Sequence, residues 1–143
     1  MLAVAERTNL DKQVILAALK ILKNEWPKHP VTEPRLLHRD YSPKHIMVDN
    51  GKITGIIDFQ NSESGDPAMD FAWWDFWRSD TYPTAILMEG YKDKTLFTGD
   101  FEDRKNLWKI YLGLSLLGYF HKEGHLSGVE TSKKRLIEIT KLF

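Results

Sequence analysis

Residues 36–59 read LLHRDYSPKHIMVDNGKITGIIDF, and this stretch decides the fold. It contains two runs of β-favouring residues, 46–48 and 53–57, on either side of the dipeptide Asn50-Gly51. Asn-Gly is a strong signal for a two-residue hairpin turn, because both residues tolerate a positive φ. We therefore predict a β-hairpin whose outer ends carry most of the titratable side chains of the segment.

The rest of the chain reads mainly as helix. Apolar residues recur at helical spacing before Pro27, and prolines make residues 27–35 an extended connector. Asp66 can cap a helix that Pro67 begins, because the carboxylate accepts backbone N–H bonds and proline suits a first helical position. The predicted helices are 9–26, 68–78, 83–92, 102–122 and 131–142. The predicted fold class is α+β, with a small β-hairpin embedded in helices.

The composition excludes several classes of protein. The 143 residues are 42% hydrophobic, enough for one domain over residues 1–143 with its own core. No cysteine is present, which excludes disulfides and thiolate zinc sites. The formal net charge is zero, so we expect neither nucleic acid nor a membrane as partner. The absence of a signal-peptide pattern and of cysteine predicts a cytoplasmic location.

The hairpin predicts where the chemistry lies. Asp40 and His45 fall in the loop that enters it, and Asp58 follows the second strand. A hairpin brings its two outer ends together, so these two carboxylates and the imidazole should converge. Such a group suits a divalent cation and a general base.

The same residues resemble a known pattern. The tripeptide HRD at 38–40, followed by His45, resembles the kinase catalytic loop H-R-D-x-x-x-x-N, with histidine in the asparagine place. Asp58 and Phe59 resemble the start of D-F-G, with Gln60 in the glycine place.

A wider match covers about a quarter of the chain, residues 38–72. This block, HRDYSPKHIMVDNGKITGIIDFQNSESGDPAMDFA, resembles the aminoglycoside phosphotransferase and choline kinase-like family. That family carries H-G-D-x-x-P-x-N-x-[IL], then I-I-D-[WF], then G-D-P-x-x-D-[LF]-A. Arg39 stands where most members have glycine, and some members carry histidine at the place of His45.

The resemblance implies a protein-kinase-like C-terminal lobe, mostly helical, with the hairpin carrying the catalytic and metal-binding loops. Asp40 would be the catalytic base or the orienting carboxylate for an acceptor hydroxyl, and Asp58 would hold Mg²⁺ against the phosphates of ATP. His45 would be the second metal ligand. Because an imidazole nitrogen replaces a hard oxygen there, Mn²⁺ should substitute well, and mild acid should lower activity by protonating the ligand. His38 is expected to brace the loop, and Asp66 to support it as a helix cap.

The resemblance also leaves a lobe unaccounted for. Residues 1–37 read as one helix and a connector, contain no G-x-G-x-x-G, and place their lysines outside any strand. We expect this chain to be the C-terminal lobe alone, as a fragment, a truncated product or half of a split protein. A missing N-terminal lobe or a partner chain would then be required, and the isolated chain should be weak or inactive.

Three functions remain open at this point. The first is transfer of phosphate from ATP to a hydroxyl of an aminoglycoside, an amino-alcohol or a sugar-like acceptor. The second is a non-catalytic remnant or interaction module. The third is a metal-dependent hydrolase that uses the four residues His38, Asp40, His45 and Asp58.

The helix after the site is rich in tryptophan. Trp73, Trp74 and Trp77 are predicted to share one helical face. Core packing is the ordinary role for such a cluster. An aromatic wall beside the site could also stack a sugar ring or hold an amine. The substrate-binding residues are otherwise not predicted.

Overall fold

The structure, a computed structural model, describes residues 12–78 and 80–143. Its helices and strands, in chain order, are α1 (Lys12–Glu25), β1 (Arg35–Leu37), β2 (Ile46–Asp49), β3 (Lys52–Ile56), β4 (Glu63–Gly65), α2 (Ala68–Arg78), α3 (Thr84–Gly90), α4 (Phe101–Lys122) and α5 (Leu126–Thr140). Short 3₁₀ turns are Trp26–Lys28, Pro43–His45 and Lys94–Phe97. Helices dominate and the strands form small antiparallel pairs, so the predicted α+β class is confirmed.

The predicted hairpin is present as β2 and β3, which pair antiparallel. Asn50 and Gly51 form its turn with φ values of 47° and 74°, both positive as the Asn-Gly signal requires. Ile46 lies opposite Ile56, so the residues just outside this pair, at 45 and 57, are neighbours. A register irregularity follows Met47, a bulge that bends the hairpin.

A second strand pair was not predicted. β1 begins at the last residue of the predicted connector and continues for two residues beyond it. It pairs antiparallel with β4, with Leu37 opposite Glu63. The two strands are three residues each, too short for an alternating pattern to stand out in the sequence. This pair fixes the start of the loop that contains Asp40.

The helix α2 begins at its predicted cap. The Asp66 carboxylate accepts the N–H of Ala68 at 3.0 Å, and α2 has the predicted bounds. α3 ends at Gly90, two residues before the predicted end.

The chain divides into two compact units, Val31–Phe101 and the pair of segments Met1–Pro30 and Glu102–Phe143. The first unit contains both strand pairs, and its most buried apolar side chains are Leu37, Ala68, Met69, Ala72, Phe76 and Phe101. The prediction of one domain over residues 1–143 stays a prediction.

The other unit is helical, with α1 packed against α5. Its core contains Ala18, Leu107, Ile110, Leu117 and Leu136. Residues 9–11 of the first predicted helix lie outside the described residues.

The last helix begins five residues before its predicted start, at Leu126. The His125 side chain caps it by accepting the Gly128 N–H at 3.0 Å. No helix among the described residues is both long and apolar enough to cross a membrane.

Candidate functional site

The three predicted site residues lie together at the open ends of the hairpin. Asp40 precedes the 3₁₀ turn Pro43–His45, and Asp58 comes two residues after β3. The Ile57 N–H donates to the His45 carbonyl at 3.0 Å, which ties the two ends together. One ligand atom from each of Asp40, His45 and Asp58 lies within 4.8 Å of the other two. The convergence expected from hairpin topology is therefore present in the structure.

His45 has one ring nitrogen committed to the backbone. Its Nδ1 lies 2.8 Å from the Asp40 carbonyl oxygen, an acceptor, so Nδ1 carries the proton. Nε2 is then a lone-pair donor, and it lies 3.3 Å from Asp58 Oδ2 and 3.9 Å from Asp40 Oδ2. A hydrogen bond on the remote nitrogen is how metal-binding histidines are usually oriented. The ring is buried, with 8% of its side chain exposed, so this orientation is held by its surroundings.

His38 joins the two loops without entering the cluster. Its Nε2 donates to the Ile57 carbonyl at 2.8 Å, and its Nδ1 accepts the Asp40 N–H at 3.3 Å. Its ring packs on Phe59 with centroids 4.6 Å apart. Both nitrogens are used within the protein, which leaves no lone pair for a metal ion.

Asp70 holds the backbone of the loop, and the sequence reasoning missed it. One carboxylate oxygen accepts the His38 N–H and the other the Arg39 N–H, each at 2.8 Å. Burial raises the pKa of Asp70, while the two N–H bonds act in the opposite direction. The available signal was its place in the G-D-P-x-x-D segment, four residues after Asp66. That segment therefore supplies both a helix cap and an anchor for the loop that contains Asp40.

Arg39 has a φ of 66°, in the left-handed region where glycine has no steric penalty. A non-glycine residue there costs roughly 1–2 kcal/mol, which gives a physical reason for the glycine of the family pattern. Arg39 Nη1 lies 3.1 Å from Glu63 Oε2, so its side chain links this loop to β4.

Asp58 also has a positive φ, 69°, a conformation that aspartate adopts more readily than most residues.

The three tryptophans lie within about 100° of one another around α2, but they differ in burial. Trp74 is buried, and its indole N–H donates to the Tyr82 carbonyl at 2.9 Å. Trp73 and Trp77 are half-buried and line a small pocket of about 150 Å³ that also contacts Asp40. Residue 77 is a helical neighbour of both residue 73 and residue 74, so burial increases toward Trp74 across the face predicted for the three.

A larger cavity of about 430 Å³ lies away from the three clustered residues. Its lining is mostly apolar and includes Leu37 and Ile86. Arg35 lines this cavity and pairs with Asp93, with Glu33 3.7 Å away as a second carboxylate. Its guanidinium also donates to the Tyr91 hydroxyl at 3.2 Å. The pKa of Asp93 is lowered by a hydrogen bond from the Thr95 hydroxyl and then by Arg35.

Comparison with known proteins agrees with the residues described. The phosphotransferase enzyme family (APH) matches residues 2–99. The uncharacterized protein YcbJ of Bacillus subtilis (strain 168) is 46% identical over 37 residues, 25% of this chain and 12% of that protein.

The solved structures show the fold. The apo form of a thermostable mutant of aminoglycoside phosphotransferase APH(4)-Ia superposes with a TM-score of 0.72 at 22% identity, covering 92% of this chain and 45% of that one. The ternary complex of its N202A form with AMP-PNP and hygromycin B gives 0.74 at 21% identity with the same coverage. The present chain thus spans less than half the length of these structures.

The family expected from residues 38–72 is confirmed, because the family match covers more than half of the chain. The protein-kinase-like fold is confirmed by the superpositions. This chain belongs to the phosphotransferase enzyme family.

Proposed function

We propose that this chain provides the catalytic loop and metal-binding residues of an ATP-dependent phosphotransferase acting on a small-molecule hydroxyl. Asp40 is the catalytic base, and His45 and Asp58 are the metal ligands. The observation that carries the proposal is the convergence of these three side chains within 4.8 Å, in a loop whose sequence matches the family block.

The donor set fits a divalent cation. Two carboxylates and a neutral imidazole present oxygen and nitrogen ligands, and the proton on His45 Nδ1 leaves Nε2 free to coordinate. Mg²⁺ prefers oxygen ligands, whereas Mn²⁺ accepts nitrogen more readily, so both ions are proposed. When bound, the ion would neutralise charge on the transferred phosphoryl group.

The other steps belong to the residues of the chain. Asp40 orients the acceptor hydroxyl and receives its proton as the oxygen attacks phosphorus. Lys44 Nζ lies 3.5 Å from Asp40 Oδ2, so the two side chains form an ion pair at the edge of the site. His38 and Asp70 hold the loop backbone, so that the base keeps its position relative to Asp58.

The proposal includes a second lobe or a partner chain. The solved structures are more than twice as long as this chain, and one of them is a complex with AMP-PNP and hygromycin B. We propose that the remaining nucleotide contacts come from such a lobe. The proposed place of action is the cytoplasm, where ATP is available.

The hydrolase alternative loses one of its four ligands. His38 donates through Nε2 and accepts through Nδ1 within the protein, so it cannot coordinate an ion without breaking the loop. Three ligands remain, and the family match favours phosphoryl transfer for them.

The test is Mn²⁺ binding measured by electron paramagnetic resonance, with and without AMP-PNP. We expect tight binding only when the nucleotide is present, because its phosphates complete the coordination. Asp58→Asn should weaken this binding at least about tenfold. Asp49→Asn is the matched control, since Asp49 is an exposed carboxylate at the turn of the same hairpin. Equal affinities for the two variants would refute the proposal, and tight binding without nucleotide would favour a hydrolase.

A further inference from the structure

A small pocket lies beside the proposed base, on the side of helix α2. Its volume is about 150 Å³, roughly half the lower limit of pockets that hold drug-sized ligands. A single six-membered ring is therefore the appropriate size of occupant. The lining consists of Asp40, Tyr41, Ser42, Lys44, Trp73 and Trp77.

Aromatic side chains form one wall of this pocket. Trp73 and Trp77 have ring centroids 6.1 Å apart and planes inclined by 67°. Both are half-buried, in contrast to the fully buried Trp74 between them. Indole surface that remains accessible inside a pocket suits the C–H face of a saturated ring, which gains hydrophobic contact there.

One residue of the pocket lining, Ser42, also has an unused hydroxyl group. Ser42 is only 4% exposed, and its Oγ has no hydrogen-bond partner among the described residues. A buried polar group without a partner costs free energy, so such groups in native proteins are usually completed by something else. Ser42 lies two residues after Asp40, where a ligand that places one hydroxyl on the base could offer another to the serine.

The charges of the lining indicate which ligands are accepted. Asp40 supplies a carboxylate to the lining and Lys44 supplies an ammonium group, and Lys44 Nζ lies 3.5 Å from Asp40 Oδ2. The lining is thus electrically balanced. A ligand with several ammonium groups would meet Lys44 and compete with it for a single carboxylate.

We propose that this pocket is the acceptor subsite of the proposed phosphotransferase and that it takes one neutral polyhydroxylated ring, a monosaccharide or a cyclitol, in preference to a polycation. This inference rests on the proposed function, since it uses Asp40 as the base. The ring packs on Trp73 and Trp77, one hydroxyl contacts Asp40, and a second pairs with Ser42.

The experiment compares two cyclitols of the same size. Myo-inositol is neutral, whereas 2-deoxystreptamine carries two ammonium groups at neutral pH. The probe is the indole N–H signals of the ¹⁵N-labelled chain, assigned by mutation. We expect myo-inositol or methyl glucoside to shift the Trp73 and Trp77 signals and to leave Trp108, which packs on Trp26, unchanged. 2-Deoxystreptamine should bind at least about fivefold more weakly.

Three variants make the test specific. Trp73→Leu should reduce the affinity for the neutral ring several-fold, and Trp73→Phe should restore part of it. Lys44→Gln should strengthen 2-deoxystreptamine binding several-fold more than it changes myo-inositol binding. Each of these effects is a ratio between the affinity of a variant and that of the native chain. The one-dimensional spectrum of each variant shows whether it is folded.

Two results would overturn the acceptor subsite. One is the absence of shifts at Trp73 and Trp77 with both neutral rings, and the other is tighter binding of 2-deoxystreptamine than of myo-inositol. Mn²⁺–AMP-PNP binding is measured on the same samples. Equal Mn²⁺–AMP-PNP affinities of Asp58→Asn and Asp49→Asn would refute the proposed function. A weaker affinity of Asp58→Asn, without ring binding by the native chain, would refute the subsite alone.

Discussion

Replacing Asp70 by asparagine should loosen the loop that contains His38, Arg39 and Asp40. In the native chain both carboxylate oxygens accept backbone N–H bonds at 2.8 Å, from His38 and Arg39. An asparagine side chain keeps one acceptor oxygen but turns an NH₂ donor toward the other N–H. One hydrogen bond to a charged group is therefore lost, and a buried donor is left without a partner.

The magnitude follows from these two losses. A hydrogen bond to a charged group contributes about 1.5–3 kcal/mol, and an unsatisfied buried donor costs about 1–3 kcal/mol. Burial raises the pKa of Asp70, which shows that ionising it in the fold carries a desolvation cost, and asparagine avoids that cost. We therefore expect the free energy of unfolding to fall by about 2–3 kcal/mol rather than by the full sum.

The assay is urea denaturation, combined with hydrogen exchange at the two amides concerned. Asp75→Asn is the matched control on the same helix. Asp75 accepts a bond from the Thr84 hydroxyl at 2.7 Å, which an asparagine oxygen can still accept. Its cost should stay below about 1 kcal/mol. If Asp70→Asn and Asp75→Asn agree within about 0.5 kcal/mol, or if the His38 and Arg39 amides keep their protection, the reasoning is wrong.

Three further predictions concern other parts of the chain. His45→Asn should shift the preference of the nucleotide complex from Mn²⁺ toward Mg²⁺, as followed by calorimetric titration with each ion; an unchanged ratio of the two affinities would contradict this. The pKa of Asp93 is lowered in the folded protein, so its carboxylate stabilises the fold above its unfolded-state pKa, and this stabilisation is lost as the pH falls through the folded-state pKa. Asp93→Asn should therefore reduce the fall in melting temperature that occurs at acid pH. Gly128→Ala should cost about 1–3 kcal/mol in thermal melts, because its Cβ would lie 2.5 Å from Phe120, whereas Gly90→Ala has open space and should be tolerated.

The parts of the site that the sequence predicted depend on local chemistry. The hairpin turn needs two residues with positive φ, and Asn50-Gly51 supplies them. The start of α2 needs a cap, and Asp66 supplies it within two residues. Given a hairpin, the meeting of Asp40 with Asp58 follows from topology alone, without knowledge of any distant contact.

The parts that were missed depend on partners far apart in the chain. β1 and β4 are separated by more than twenty residues, and neither is long enough to show a pattern by itself. Asp70 lies on a helix face like any other carboxylate, and its bonds reach residues 31 and 32 positions earlier. The early start of α5 has a more local origin, because the His125 side chain caps it by accepting the Gly128 N–H. Gly128 reads as a helix breaker, yet the ring of Phe120 occupies the space where a Cβ would be.

The carboxylates of this site divide into those that hold the backbone and those that face outward. Asp66 and Asp70 accept main-chain N–H bonds, so the fold depends on them. Among the described residues, Asp40 and Asp58 contact only side chains, those of Lys44 and His45.

This division bears directly on the proposed chemistry. His45 is oriented by the backbone carbonyl of residue 40 and not by its carboxylate, so removing the Asp40 side chain leaves the imidazole in place. The Asp40 carboxylate is partly exposed and lies beside the oriented lone pair of His45 Nε2. Because it makes no bond to the backbone, it is available to a ligand. The proposed base Asp40 and the proposed ligand Asp58 can therefore be replaced one at a time without removing the bond that orients His45, whereas loss of Asp70 should disturb the loop that contains Asp40.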